Sequence, residues 1–245
     1  MEKVIIVKNL VKKFEDFVAN DNLTFDVYKG EIFGFLGANG AGKTTAMKIL
    51  CALSQPTSGE LNVAGFDVYT QQDKIKANIG YMSQRFSLYE DLTVFENIQF
   101  YAGIYGLSNK IIKERAENLI KKLEMVEMKN KLVSSLPLGW RQKLSFSIAI
   151  IHKPQIVFLD EPTGGVDPIT RRQFWDLIYD AANDGITIFV TTHYMDEAEY
   201  CNRVSIMVDG RIEALDTPQN LKKQFNAEDM NEVFIQLARK SKNKE

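Results

Sequence analysis

Cysteine, tryptophan and proline are scarce in this chain of 245 residues, which contains two, two and six of them, respectively. The two cysteines, Cys51 and Cys201, lie in apolar or mixed segments without Cys-x-x-Cys spacing. We therefore expect small buried thiols rather than metal ligands, and a reducing compartment.

Long apolar runs and a strong charge imbalance are also missing. The longest apolar runs, such as 148–151 and 186–190, fall far short of the roughly 18 residues needed to cross a bilayer. The N-terminal segment lacks an apolar stretch followed by a cleavage site, so we expect neither a membrane span nor an export signal. A formal net charge of −2 gives no reason to expect nucleic acid as the main partner. With 45% hydrophobic and 25% charged residues, the composition is that of a globular domain and excludes disordered and fibrous classes.

A glycine-rich loop carries the first chemical signal that is present. Residues 37–44 read GANGAGKT, after an apolar run at 31–36 and before a helix-compatible stretch through Leu50. Glycines let the backbone curl so that successive N–H groups point at phosphate oxygens, and the following helix adds its positive end. Lys43 would then reach the β- and γ-phosphates while the Thr44 hydroxyl holds Mg²⁺. The pattern predicts a P-loop in which a nucleoside triphosphate contacts Gly37, Ala38, Asn39, Gly40, Ala41, Gly42, Lys43, Thr44 and Thr45.

A second apolar run, at 156–159, delivers two carboxylates at its end, Asp160 and Glu161. Open α/β sheets bind ligands at the carboxyl ends of their strands. Asp160 would support Mg²⁺ directly or through water. Glu161, one residue further on, would orient or deprotonate an attacking water.

Other residues follow in a fixed order: Gln84 after the run 79–83, Gly164-Gly165-Val166-Asp167, and His193 after the run 188–192. Together with the P-loop and the Asp160-Glu161 pair, they resemble the motifs of ATP-binding cassette (ABC) ATPases over residues 1 to about 220. The resemblance implies that Gln84 senses Mg²⁺ and the attacking water, that Asp167 lies in the D-loop, and that His193 contacts the γ-phosphate. The implied catalytic residues are Glu161, His193 and Gln84, and the implied magnesium ligands are Thr44, Gln84 and Asp160.

The base of the nucleotide has two candidate contacts. Phe14 sits where the family places an aromatic ring against adenine, and Phe17 is the competing candidate. Either could instead be a core residue. Stacking of an aromatic ring on a base does not require one exact position of the ring, because every base offers a π face.

The family signature, usually Leu-Ser-Gly-Gly-Gln, is replaced here by Leu136-Pro137-Leu138-Gly139-Trp140. In the family this segment starts a helix and contacts the γ-phosphate on the opposite subunit of a head-to-tail dimer. Pro137 removes a serine hydroxyl and one backbone N–H, but proline is compatible with a first helical turn. The remaining N–H groups and the helix dipole still attract an anion. The LPLG-type variant resembles a subset of bacterial exporter ATPases, so we interpret it as a feature of that lineage.

The resemblance implies an α/β fold, a P-loop NTPase with a RecA-like core and an antiparallel β subdomain, plus an inserted α-helical subdomain. We expect one ABC ATPase domain at 1–225, with a core lobe at about 1–87 and 152–225 and a helical lobe at about 88–151. Helical spacing from Thr93 to about residue 151, a capping box between Thr93 and Glu96, and a helix starting at Ser108 support the inserted lobe. A C-terminal helix and a polar, basic, frayed tail are expected at 226–245.

The resemblance implies an ATP-hydrolysing subunit of an ABC transporter on the cytoplasmic face of the inner membrane. It favours an exporter over an importer. The expected cofactors of the subunit are ATP and Mg²⁺, and its expected partners are a separate transmembrane subunit and a second nucleotide-binding subunit, identical or not. The transmembrane partner would dock on the apolar and aromatic residues Phe86, Leu88, Tyr89, Leu92, Tyr101 and Tyr105. The alternatives are a soluble ABC-type ATPase of DNA maintenance or translation, a P-loop GTPase or small-molecule kinase, and a non-catalytic cassette. The Asn-Lys-x-Asp motif that recognises guanine is absent, because Asn130-Lys131-Leu132 is followed by Val133. This argues against the GTPase.

Overall fold

The computed structural model describes residues 2–84 and 88–242. Its strands are β1 (Lys3–Phe14), β2 (Phe17–Tyr28), β3 (Ile32–Gly37), β4 (Ser58–Val63), β5 (Phe66–Asp67), β6 (Ile79–Met82), β7 (Ile156–Asp160), β8 (Thr187–Thr192), β9 (Arg203–Val208) and β10 (Arg211–Asp216). Its helices are α1 (Lys43–Leu50), α2 (Gln72–Asn78), α3 (Val94–Ile104), α4 (Asn109–Lys122), α5 (Leu138–Ala149), α6 (Pro168–Asn183), α7 (Pro218–Phe225) and α8 (Met230–Lys242). Short 3₁₀ turns occur at Val126–Met128, Val133–Ser135 and Met195–Tyr200.

The strands form two sheets. The first is antiparallel, in the order β2-β1-β4-β5. The second has the order β10-β9-β3-β8-β7-β6 and is parallel except for the β9–β10 hairpin at its edge. The strands β3, β7 and β8 are buried along their whole length, which explains their continuous apolar sequences.

Three hydrophobic cores hold these layers together. One lies between the two sheets and α1, with Phe25, Phe33, Phe35 and Phe189 in mutual ring contact at 5.2–6.3 Å. A second lies on the other face of the large sheet, under α6 and α8. The third is internal to α3, α4 and α5, which follow β6 and precede β7.

Several sequence-based predictions about local structure are confirmed. Thr93 and Glu96 form both hydrogen bonds of a capping box at the start of α3. The helix predicted from Ser108 is α4. The apolar runs that precede the glycine-rich loop and Asp160 form the strands β3 and β7.

The C-terminal segment contains a helix, as predicted, but this helix extends into the stretch that was predicted to be a frayed tail. Helix α8 continues to Lys242 because Met230, Val233 and Leu237 are buried against the large sheet. Residues 243–245 lie outside the described part of the chain. Within the described residues, no helix is both long enough and apolar enough to cross a membrane.

Candidate nucleotide-binding site

The glycine-rich loop lies between the end of β3 and the start of α1, at the carboxyl edge of the large sheet. Gly42 is held at φ 95°, in the left-handed region. A Cβ at this position would lie 2.3 Å from the Ala19 carbonyl oxygen, so the loop requires glycine here for space as well as for conformation. The Asn20 side chain, which is fully buried, donates from Nδ2 to the Gly42 carbonyl at 3.1 Å. Sequence reasoning missed this brace because Asn20 is 22 residues away from Gly42.

Lys43 is buried in the loop, with 4% of its side chain exposed. Its Nζ donates to the carbonyl oxygens of Gly37 at 2.9 Å and Ala38 at 3.1 Å, and lies 3.6 Å from Glu161 Oε1. Burial lowers the pKa of Lys43, and the carboxylates of Glu161 and Asp160 partly offset that change. The loop thus holds one buried amine at its centre. Asn39 and Gly40 are exposed, whereas Ala41 is buried and Thr45 is half-buried.

Asp160 and Thr44 meet beneath the loop. The Thr44 hydroxyl donates to Asp160 Oδ1 at 3.1 Å, and the Thr191 hydroxyl donates to the same oxygen at 2.7 Å. Asp160 is 2% exposed. A hydroxyl beside a carboxylate is an oxygen donor pair of the type that Mg²⁺ prefers. Thr191 was not predicted, and it reaches Asp160 because β7 and β8 pair in a register that places the two residues opposite each other.

Glu161 is the point where several predicted residues meet. It adopts φ 48°, which is uncommon for a residue other than glycine, and its N–H donates to the Thr191 carbonyl oxygen at 3.1 Å. Gln84 Nε2 donates to Glu161 Oε2 at 2.9 Å. His193 Nδ1 lies 3.1 Å from the same oxygen, although the ring is not aligned for a hydrogen bond. The structure therefore places Gln84, Lys43 and His193 around a single carboxylate that follows β7.

A cavity of about 200 Å³ lies beside this carboxylate. Gln142 lines it from α5, is 2% exposed, and donates from Nε2 to the Gly164 carbonyl at 3.1 Å. Gln142 was missed by sequence reasoning. Its position, two residues after the signature segment on the same helix, could have indicated it.

The signature segment lies at the start of α5 and lines a different pocket from the one beside Glu161. Pro137 is the N-cap residue, so the helix tolerates it as predicted. Leu136 is buried in the helical lobe, Leu138 is 39% exposed, and Trp140 packs partly against the lobe. A Cβ on Gly139 would lie 2.4 Å from Thr170 Cγ2, so the absence of a side chain lets α5 approach α6 closely.

Asp167 caps α6 at the edge of that second pocket. Its Oδ1 accepts from the backbone N–H groups of Ile169 and Thr170, each at 3.0 Å, and its Oδ2 accepts from the Thr170 hydroxyl at 2.6 Å. These hydrogen bonds, led by the one from the Thr170 side chain, lower the pKa of Asp167. The Asp167 carboxylate is thus committed to a helix cap within this chain.

Phe14 and Phe17 lie opposite each other at the tip of the β1–β2 hairpin. They are 51% and 63% exposed, which excludes the alternative that either is a core residue. Lys12 Nζ lies 4.7 Å from the centroid of the Phe14 ring. The exposure of both rings leaves the choice between them to experiment.

Comparison with known proteins supports the predicted resemblance. Residues 20–164 match the family model described as ABC transporter. The chain is 44% identical over 241 residues to the probable multidrug ABC transporter ATP-binding protein YbhF of Escherichia coli, covering 96% of this chain and 42% of that protein. It is 40% identical over 227 residues to the human phospholipid-transporting ATPase ABCA3, covering 91% of this chain and 13% of that protein. The chain therefore spans less than half the length of these relatives.

Solved structures agree in fold. An ATP-binding subunit of an ABC transporter superposes with a TM-score of 0.86 at 25% identity, covering 96% of this chain and 99% of that one. The ATP-binding cassette MJ0796, dimeric and bound to ADP and Pi, superposes with a TM-score of 0.78 at 26% identity, covering 87% of this chain and 98% of that one. The predicted fold class, a P-loop NTPase core with a helical subdomain, is confirmed. On the family match, the identity to relatives and the fold, the chain belongs to the ABC transporter family as an ATP-binding cassette.

Proposed function

We propose that this chain is the ATP-hydrolysing subunit of a membrane ABC transporter, an exporter, in which ATP binding and hydrolysis move a separate transmembrane subunit. The convergence of Lys43, Gln84 and His193 on the Glu161 carboxylate carries the proposal. Together with Glu161, these side chains come from four separate segments, and a purely structural role would not require an amine, an amide and an imidazole at one acid. In the family to which the chain belongs, they are the residues that act on the γ-phosphate and the attacking water.

The roles follow from the geometry. The loop N–H groups and Lys43 would bind the phosphates, and Glu161 would accept a proton from the attacking water. The hydrogen bond from Gln84 to Glu161 Oε2 orients the carboxylate before water binds, and His193 Nδ1 lies beside the same oxygen.

Mg²⁺ would be held by Thr44, Asp160 and Gln84, with the nucleotide phosphates completing its coordination. The hydrogen bond of 3.1 Å between the Thr44 hydroxyl and Asp160 Oδ1 fits such an ion, because it brings two oxygen ligands together. Within residues 2–84 and 88–242, no group of three or more His, Cys, Asp or Glu is arranged to hold a metal. The ion would therefore depend on the nucleotide, and its chemistry is charge neutralisation of the phosphates.

A second nucleotide-binding subunit, identical or different, would complete the site. Residues 137–140 of the signature segment line a pocket that does not include Glu161, as expected if they act on the nucleotide of the opposite subunit. Asp167 lines the same pocket. The dimeric state of the related cassette MJ0796 supports this arrangement.

The transmembrane partner would dock on an exposed aromatic patch of the helical lobe, which we define as Tyr89, Phe100, Tyr101 and Ile104. Tyr89 and Phe100 contact each other edge to face at 4.9 Å, and Ile104 is 62% exposed. Two residues predicted for docking do not belong to it: Leu88 is buried in the lobe, and the Tyr105 ring stacks on His152 at 3.7 Å. Phe86 lies outside the described residues, and Leu92 is half-buried.

Replacement of both Phe100 and Ile104 by Asp should abolish recovery of the partner while leaving ATP hydrolysis by the isolated chain within about twofold, because charge on the patch opposes burial against an apolar helix. The test is affinity purification of the tagged chain from detergent-solubilised membranes in the presence of Mg-ATP. The chain also carries the Glu161→Gln substitution, and the proteins that co-purify with it are identified. Val126→Asp is the matched control, since Val126 is 60% exposed on the same lobe but outside the patch.

Recovery of a polytopic membrane protein with the control, but not with the double variant, supports a peripheral subunit on the cytoplasmic face of the inner membrane. Recovery from the soluble fraction with ribosomes or DNA would favour the alternative, a soluble ABC-type ATPase.

The adenine contact can be assigned by a matched pair of variants. Phe14→Ala should weaken ATP and ADP affinity by about fivefold or more, since stacking on an aromatic ring contributes about 1–3 kcal/mol per base. Phe17→Ala, the control on the opposite strand, should leave affinity unchanged, as measured by equilibrium binding of both nucleotides. The reverse result would assign the contact to Phe17.

A further inference from the structure

Arg171, in the first turns of α6, holds the segment that follows His193. Its guanidinium carbon lies 4.2 Å from the centroid of the Tyr194 ring, and its Nη1 lies 3.3 Å from Asp196 Oδ2. The Tyr194 ring is in turn 4.2 Å from the ring of His193, centroid to centroid. One arginine therefore supports the ring that packs against His193.

The same guanidinium faces a buried carboxylate. Glu197 is fully buried, and its Oε1 lies 3.7 Å from Arg171 Nε. The Thr163 hydroxyl, from the loop after Glu161, donates to that oxygen. Among the described residues, neither Arg171 Nε nor Glu197 Oε2 has a hydrogen-bond partner. The Arg171 guanidinium forms the ion pair with this acid. A buried carboxylate needs such a neighbour because it has lost its hydration.

Helix α6 connects this contact to the second pocket. Its first turn carries Thr170, which packs against Gly139 of the signature segment and bonds to the Asp167 cap. Arg171 is the next residue. Helix α6 therefore contacts the signature segment through Thr170 and the segment after His193 through Arg171.

We propose that Arg171 is a positioning residue that sets the ring of His193 relative to α6, through Tyr194 and the buried Glu197. This inference rests on the proposed function, because it assigns Arg171 a part in ATP hydrolysis. In the part of the chain that the structure describes, no hydrogen bond or ion pair joins Arg171 to the predicted nucleotide-binding residues, so it acts on turnover and leaves nucleotide affinity unchanged.

Arg171→Met, which keeps the apolar stem, lowers kcat for ATP hydrolysis about 10- to 100-fold, the effect expected when a catalytic group is displaced by about 1 Å. The Kd for ATP stays within about twofold, and Arg171→Lys, which retains the charge, recovers part of the rate. Arg172→Met is the matched control: Arg172 is the adjacent residue, its side chain is 60% exposed, and its ion pair with Asp176 lies on the surface. A wild-type rate in Arg171→Met, or an equal loss in Arg172→Met, would overturn the proposal.

A second readout does not depend on activity. The chain has two histidines, His152 and His193, so a histidine-selective NMR spectrum of the full chain contains two imidazole signals, assigned with His152→Gln. Arg171→Met and Tyr194→Leu each shift the His193 signal and leave that of His152, which stacks on Tyr105, in place. An unmoved His193 signal in both variants contradicts the positioning role. If the wild-type chain does not hydrolyse ATP, the proposed function fails, while the shift of the His193 signal still decides whether Arg171 positions that ring.

Discussion

Replacement of Glu161 by Gln is expected to lower ATP turnover by about 10²- to 10⁴-fold while ATP binding is retained, since this is the usual contribution of a general base. The amide keeps the size of the side chain and an oxygen that accepts from Gln84, but it takes no proton from water. Lys43 and His193 lose a negative neighbour, whose distances are 3.6 and 3.1 Å in the present structure. The measurement is phosphate release by the purified full chain with Mg-ATP, together with the Kd for ATP.

The control for this variant is Glu199→Gln. Glu199 is a partly exposed glutamate that pairs with Lys222 on the surface, so its loss of charge should not alter turnover. Undiminished hydrolysis in Glu161→Gln would remove the residue from the mechanism. A loss of both turnover and ATP binding would instead show that its role is to hold Lys43.

Replacement of Lys43 by Met is expected to weaken ATP affinity about 10- to 100-fold, because hydrogen bonds to a charged group contribute about 1.5–3 kcal/mol each. The effect has two origins. The phosphates lose the buried ammonium, and the carboxylates of Glu161 and Asp160, which act on Lys43 in the present structure, are left as uncompensated negative charge near the phosphates. Equilibrium binding of ATP, with a thermal melt to confirm folding, measures the change.

Lys48→Met is the matched control for Lys43. Lys48 lies on the same helix, α1, but is exposed, so its removal changes the net charge by the same amount without touching the loop. Unchanged ATP affinity in Lys43→Met would contradict the assignment of 37–45 as the phosphate site. An equal loss in both variants would indicate a general electrostatic effect rather than a contact.

The local features were readable from the sequence. The loop at 37–44, the capping box at Thr93 and the strand ending in Asp160 each depend on neighbours a few residues apart, where backbone preference and side-chain spacing decide the structure. The LPLG-type segment is a similar case, since a proline before the first helical residue is tolerated wherever the helix starts.

The long-range contacts were not readable in this way. Gln84 and Glu161 are 77 residues apart, and their residue types alone do not show that they share a hydrogen bond. Thr191, Gln142 and Arg171 were missed for the same reason: each is an ordinary polar residue whose partner lies on another element. The docking residues were predicted by proximity in sequence; the structure excludes Leu88 because it is buried and Tyr105 because its ring stacks on His152.

The sequence by itself determined which residue types are present and their order, and thereby the family, the P-loop and the candidate acid. Only the tertiary structure decided what these residues contact. The large sheet has the order β10-β9-β3-β8-β7-β6, so strands that are distant in the chain become neighbours and their carboxyl ends meet at one edge. The physical reason is that pairing between parallel strands is a property of the buried sheet as a whole, and no local preference of β7 specifies that Asp160 will lie opposite Thr191 of β8.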